Sequence, residues 1–343
     1  MKKLFILAAA IVAFASCSQN EPQTVVQTRE ICFAPSATET RAAATATEEG
    51  NLATLTSNGF AVFGFQGADQ IFDNTLVTHS TKNEILTGLG LTETANAWAP
   101  AKAADVRYWA DATYKFSGVY PVDNTGYKMD KDGKQEITSF ANDGTKDLLV
   151  SNVVTVANVA DTKTAVALRF DHMLSRVKFT FTNKFTGNEV MEISGVKIKG
   201  VAKDGSATIA TGEGTADSKT APTWTAGSDN ITLEFGEMSS QTTENRFAKE
   251  AKDVTVYKYI IPENNTEYTI DFNVVVYSAG VQVAAKEYKD VRIKTEAYNF
   301  EPGKSYTFNA NIAADDAGNI YPIEFTVEVS AWEEVDGGNI ELK

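Results

Sequence analysis

Histidine and cysteine are nearly absent: the 343 residues contain two of each. Two cysteines are too few for a disulfide scaffold or a cysteine-rich zinc site. Two histidines, His79 and His172, leave little for histidine-based metal or acid–base chemistry. Positive charge is scarce as well, with 31 Lys and Arg against 45 Asp and Glu and a formal net charge of −14. That balance argues against a phosphate-binding surface, so nucleic acid is not expected as a partner. There is no Gly-Xaa-Ser-Xaa-Gly elbow, Walker loop or Gly-rich dinucleotide turn. No cofactor, no metal and no catalytic activity are expected. What remains is an ordered, globular composition, 43% hydrophobic and 22% charged, long enough for about two domains.

The first residues read as a targeting segment. Lys2 and Lys3 precede an apolar run over 4–14, which is short of the ~20 residues a spanning helix needs. The run ends Phe14-Ala15-Ser16-Cys17, small residues directly before a cysteine. This resembles a bacterial lipobox, which implies cleavage before Cys17, lipid on that residue and an outer-membrane tether without a spanning helix. Residues 18–28 are polar and aperiodic and read as a flexible tether. Cys32 is then left without a cysteine partner and reads as a small buried side chain.

Beyond the tether the pattern is β. Val177-Lys178-Phe179-Thr180-Phe181-Thr182 alternates strictly, with Val177, Phe179 and Phe181 on one face. Similar runs occupy 60–65, 114–120, 148–156, 193–198, 231–235, 254–261, 268–277, 281–293 and 306–312. Turn residues punctuate them: Asp132-Gly133, Asp143-Gly144, Asp204-Gly205, Ala279-Gly280 and Pro302-Gly303. Helical signals are few, a short helix over 82–89 and an ambiguous Ala/Thr stretch over 45–55. The Thr- and Ala-rich stretches 42–56 and 212–226 read as long loops. The expected fold is all-β, with two antiparallel β-sandwich domains in tandem, joined near 157–171, and few short helices.

Isolated site signals have bland readings. Asp171 and His172 are neighbours in an extended segment and point to opposite faces, so they do not form an acid–base dyad. His172 reads as a structural hydrogen-bonding residue at a bend, and His79 as part of a polar loop. Asp130-Lys131-Asp132-Gly133 with Glu136 matches a calcium loop only partly and reads as a hairpin turn. Trp98, Trp109, Trp224 and Trp332 are scattered and read as core rather than as a glycan platform.

Several segments carry a family likeness. They are Gly59-Phe60-Ala61-Val62-Phe63-Gly64-Phe65, Tyr108-Trp109, and Phe116 through Tyr120-Pro121. Next come Phe170-Asp171-His172-Met173-Leu174-Ser175-Arg176-Val177, Ile260-Ile261-Pro262, Pro302-Gly303-Lys304-Ser305-Tyr306 and Trp332. In this order, and with the lipobox, they resemble the fimbrillin family, the type V pilins of anaerobic Gram-negative gut and oral bacteria. The resemblance implies transthyretin-like, Greek-key domains and a stalk or tip subunit of adhesive surface fimbriae. Partners would be other fimbrial subunits, the outer membrane through lipid on Cys17, and host or bacterial surface ligands. The alternative is a surface-anchored lipoprotein of the same fold, acting as fimbrial anchor or glycan binder. The family's protease site, an Arg before a small residue, falls on Arg41 and Ala42, with Thr28-Arg29-Glu30 a poorer fit. Cutting there releases the first strand and opens a groove for a strand from another subunit.

The residues are compatible with that exchange. Glu30-Ile31-Cys32-Phe33-Ala34, upstream of Arg41, alternates and carries two large apolar residues, Ile31 and Phe33. Ile323-Glu324-Phe325-Thr326-Val327-Glu328-Val329-Ser330 alternates more cleanly, with Ile323, Phe325, Val327 and Val329 on one face. Burying four such side chains is worth roughly 6–12 kcal/mol as an upper bound. The same strand is equally able to pair within its own subunit. The expected division is 1–16 signal, 17–41 tether and releasable first strand, 42–165 N-terminal domain and 166–343 C-terminal domain, with 319–343 as donor-strand candidate.

Overall fold

The computed structural model describes residues 30–37, 52–79, 98–123, 125–157, 165–211, 220–235, 246, 248, 251–253, 256–263, 268–293, 300–313 and 325–331. The lipobox with Cys17, the pair Arg41 and Ala42, the helix expected at 82–89, Ile323 and Trp332 lie outside the described residues. In chain order the strands begin with β1 (Phe33–Ala37), β2 (Phe60–Gln66), β3 (Asp69–His79), β4 (Trp98–Pro100) and β5 (Tyr114–Tyr120). Then come β6 (Tyr127–Met129), β7 (Gln135–Ala141), β8 (Leu149–Ser151), β9 (Val154–Val156), β10 (Val166–His172) and β11 (Ser175–Asn183). They continue with β12 (Val190–Ala202), β13 (Asp204–Thr211), β14 (Thr220–Ala226), β15 (Asn230–Glu234) and β16 (Ala251–Asp253). The last are β17 (Lys258–Ile260), β18 (Tyr268–Ser278), β19 (Val281–Ile293), β20 (Lys304–Ile312) and β21 (Phe325–Ala331). Among the described residues the helical elements are α1 (Leu52–Asn58) and a 3₁₀ turn at Ala103–Asp105.

The N-terminal strands form an eight-stranded sheet in the order β2-β3-β4-β1-β10-β8-β5-β9, and the β2–β5 pairing closes it into a barrel. The sequence of β2 shows why this sheet does not stand alone. Its residues are apolar at consecutive positions because both faces are covered. Phe60 and Val62 enter the barrel core, whereas Ala61, Phe63 and Phe65 face outward onto a second layer. That layer is the sheet β14-β13-β7-β6, whose Tyr127, Met129, Ile137, Phe140 and Ile209 complete the outer core.

The C-terminal strands form a sandwich. One sheet is β16-β11-β20-β21, with β17 also on β11; the other is β15-β12-β18-β19. The alternating Val177, Phe179 and Phe181 of β11 point inward against Ile193, Ile270 and Phe272, as their periodicity requires.

The chain is all-β, as expected, but several details differ. The first unit is a closed barrel rather than an open sandwich, and two pairings are parallel, β1 with β10 and β11 with β20. Residues 220–226, expected in a loop, form edge strand β14, where Pro222 needs no ladder donor on its solvent side. Asp204-Gly205 opens β13 instead of making a turn. The run 148–156 breaks into β8 and β9 because Asn152 bonds Arg169 through both its backbone amide and its side chain. The run 254–261 contains β17, with β16 starting upstream at Ala251. The sheet β14-β13-β7-β6 takes strands from both sides of residue 165, and β10 completes the barrel.

Candidate strand-exchange site

β1 is short, yet it supplies the centre of the barrel core. It runs parallel to β10 with Phe33 opposite Val166 and Ala37 opposite Phe170, and it meets β4 only at Phe33–Trp98. Neighbouring residues send their backbone groups to opposite sides. The Val166 amide donates to the Cys32 carbonyl at 2.8 Å, while the Ile31 amide donates to the Arg107 carbonyl at 2.8 Å. Phe33 is fully buried and Ile31 nearly so. The Phe33 ring lies edge-on to Phe60, Phe72 and Phe116, with centroids 6.4, 5.8 and 5.8 Å away. Room for this cluster comes from two glycines in aromatic strands. A Cβ on Gly64 would sit 2.8 Å from the Phe116 ring, and one on Gly118 would sit 2.7 Å from the Phe170 ring.

Ile31 and Phe33 join the same buried cluster, and the structure adds Phe60, Phe72 and Phe116 as the seat of Phe33. Sequence reasoning found the alternation but not the seat, because its walls come from strands far apart in the chain. The available signal was a glycine between aromatics in β2 and β5. Cys32 is half-buried and free, and burial, with the Glu30 charge second, pushes its thiol up to about 11. It is a poor nucleophile near neutral pH.

Phe325 lies elsewhere. β21 is an edge strand paired antiparallel with β20 in its own subunit, from Ala310–Phe325 to Lys304–Ala331. The Phe325 ring packs on Phe179, Phe181 and Phe272 at 5.8, 6.1 and 6.0 Å. Val327 and Val329 follow it in the same strand, opposite Phe308 and Tyr306. Ile31 and Phe33 therefore sit in one core of the chain and Phe325 against another.

The remaining polar signals resolve into structure. His172 closes β10, and its Nδ1 contacts Oδ2 of Asp147, a carboxylate with no solvent exposure. Asp147 also accepts the Leu148 amide at 2.8 Å, so the pair ties β10 to the approach of β8. Asp171 instead faces Arg169 at 3.7 Å. His79 is not in a loop: it ends β3 and packs on Trp98 at 5.1 Å. Asp130 caps its own turn, its Oδ1 accepting the amides of Asp132 and Lys134 at 2.9 and 2.8 Å. Among the described residues no three His, Cys, Asp or Glu side chains are grouped to hold a metal ion. Trp98 and Trp109 are core residues, and the half-buried Trp224 donates its Nε1 hydrogen to the Met173 carbonyl at 2.7 Å.

Comparison with known proteins agrees with this architecture. Over residues 40–332 the sequence matches the family described as fimbrillin-like. No curated protein matches it. Among solved structures, a fimbrial protein from Bacteroides vulgatus is similar with a TM-score of 0.53 at 15% identity, covering 89% of this chain and 100% of that one. A protein provisionally assigned to cell adhesion, from Bacteroides uniformis, has a TM-score of 0.46 at 15% identity, covering 88% of this chain and 99% of its own. The first of these likenesses is one of fold alone. The family match spans most of the described strands, so the chain belongs to the fimbrillin-like family, with a structural role at the cell surface.

Proposed function

We propose that this chain is a stalk or tip subunit of surface fimbriae that assembles by exchange of its first strand. In this reading it travels as a lipoprotein on Cys17, is cut between Arg41 and Ala42, and loses β1. A strand from a second subunit then takes the vacated place. The observation that carries the reading is the position of β1. It lies upstream of Arg41 in the sequence, yet it stands between β4 and β10 and seats Phe33 in the barrel core.

Magnitude explains why a cut subunit needs a replacement. Burial of Ile31 and Phe33 is worth up to about 3–6 kcal/mol together. That is a large share of the 5–15 kcal/mol by which domains are typically stable. Departure of β1 also exposes the facing edges of β4 and β10 over an apolar floor, an invitation to strand addition. Arg41→Ala is expected to give uncut monomer, whereas the wild-type chain gives SDS-resistant ladders after trypsin-like cleavage. Ladders of wild-type intensity from Arg41→Ala would overturn the reading.

The pairing of β21 within its own subunit favours a second reading, an anchor or glycan-binding lipoprotein that keeps its strands and its lipid. Intact mass separates the two, since such a protein begins at lipidated Cys17 and a processed subunit at Ala42.

A further inference from the structure

Strand β14 is the edge of its sheet, and Pro222 and Trp224 along it stay half-buried. They line a cleft of about 390 Å³ together with Pro262 and Glu263, which follow β17, and Glu301 and Pro302, which precede β20. We propose that this cleft binds a neutral sugar, one pyranose ring lying against Trp224 while its hydroxyls donate to the carboxylates of Glu263 and Glu301.

The walls are fixed by the fold. Trp224 donates its Nε1 hydrogen to the Met173 carbonyl at 2.7 Å and packs on Phe140 at 6.0 Å. With that hydrogen committed, its side chain offers the cleft aromatic carbon alone. Glu301 is held through its backbone: its amide donates to the Tyr306 hydroxyl at 2.8 Å, and its carbonyl accepts from Ser175 Oγ at 2.7 Å. Glu263 is anchored through Oε1, which accepts the Ala202 amide at 3.3 Å and the Tyr268 hydroxyl at 3.4 Å. Three prolines stiffen the rest of the lining. A preformed wall costs a ligand little ordering entropy.

The lining selects the ligand by its chemistry. Carboxylates only accept hydrogen bonds, so the occupant must bring donors. Among the described residues no Lys or Arg lines the cleft, and the chain carries a formal net charge of −14, so anions are repelled, acidic sugars included. A wholly apolar ligand would strip water from the carboxylates and return no donor. A cation would depend on exposed Glu301, and exposed ion pairs are weak and screened by salt. A pyranose meets both demands. Its C–H face packs on indole and proline carbon, and its hydroxyls make charge-assisted hydrogen bonds to the carboxylates. The volume also falls within the roughly 300–1,000 Å³ of small-molecule sites. Such a site deepens the glycan-binding reading and rests on it for the ligand alone, since none of its residues belongs to β1 or β21.

The test is binding of the full chain to an array of neutral and sialylated oligosaccharides, followed by titration of the best neutral sugar. The wild-type chain is expected to retain neutral sugars and not sialylated ones. Glu301→Gln, a change on an exposed side chain, should weaken the titrated affinity about threefold to tenfold. Trp224→Ala should weaken it by about tenfold or more, with a melting curve to show that the variant is folded. If it is not folded, Glu301→Gln decides alone. Affinity should change less than about twofold between roughly 50 and 500 mM salt. Neutral sugar bound equally well by the folded variants would remove the site and leave the glycan-binding reading standing. No neutral sugar retained by the wild-type chain would remove both. Arginine amide, titrated in the same way, should not bind; binding that Glu301→Gln abolishes would make the occupant a cation and overturn the sugar.

Discussion

Phe33 owes its position to residues with no side chain. Gly118 leaves the space that Phe60 and Phe170 occupy, and an added methyl would press on the Phe170 ring at 2.7 Å. Gly118→Ala should therefore destabilise the barrel by about 1–3 kcal/mol, read as a lower denaturation midpoint. Cys32, beside Phe33, is an internal reporter. With its thiol raised to about 11, alkylation of the intact precursor should keep accelerating as pH rises past 9 instead of levelling there. The sign for stability follows: the contribution is full below the unfolded value near 9 and fades as pH rises toward 11. Release of β1 should restore ordinary thiol reactivity, measurable by thiol labelling before and after cleavage. His172→Ala leaves the Asp147 carboxylate buried without its imidazole partner. The expected loss is about 1–3 kcal/mol, seen as a lower melting temperature.

Among the elements, the strands with clean alternation were legible in the sequence. β11, β18 and β20 were marked by large apolar residues at every second position, which one covered face demands. β2 and β5 were legible as strands too, but that both their faces are covered showed only in the fold. β14 was not, because Thr220-Ala221-Pro222-Thr223-Trp224 has no clean alternation and contains a proline; it is a strand because β13 offers it an edge. The pairing of β1 with β10 was equally hidden, since it joins segments more than a hundred residues apart and leaves no local signature. The candidate exchange residues Ile31, Phe33 and Phe325 were legible as alternation, while their separate seats needed the fold. β18 and β19 supply an element-scale test. Burial alone would raise the Asp271 carboxyl, but hydrogen bonds from Lys199 and the Asp290 amide, with the Lys197 charge, hold it below the usual range. Its contribution is present above the ordinary carboxylate value near 3.9 and is lost as pH falls through its lower folded value. Asp271→Asn should flatten the acid limb of the stability profile, as measured by denaturation between about pH 5 and 2.

At the scale of the whole molecule, the two apolar units divide the labour. The C-terminal sandwich pairs β21 with β20 of its own subunit, while the barrel depends on a strand that the chain carries ahead of Arg41. Lipid on Cys17 would hold that strand in place until the cut, and Cys17→Ala should block labelled-fatty-acid incorporation and outer-membrane delivery. The most direct measurement is the intact mass, with peptide mapping, of subunits recovered from SDS-resistant polymer on the native cell surface. The account predicts chains that begin at Ala42 and polymer devoid of the peptide containing Ile31 and Phe33. Polymer in which every subunit retains that peptide would contradict it.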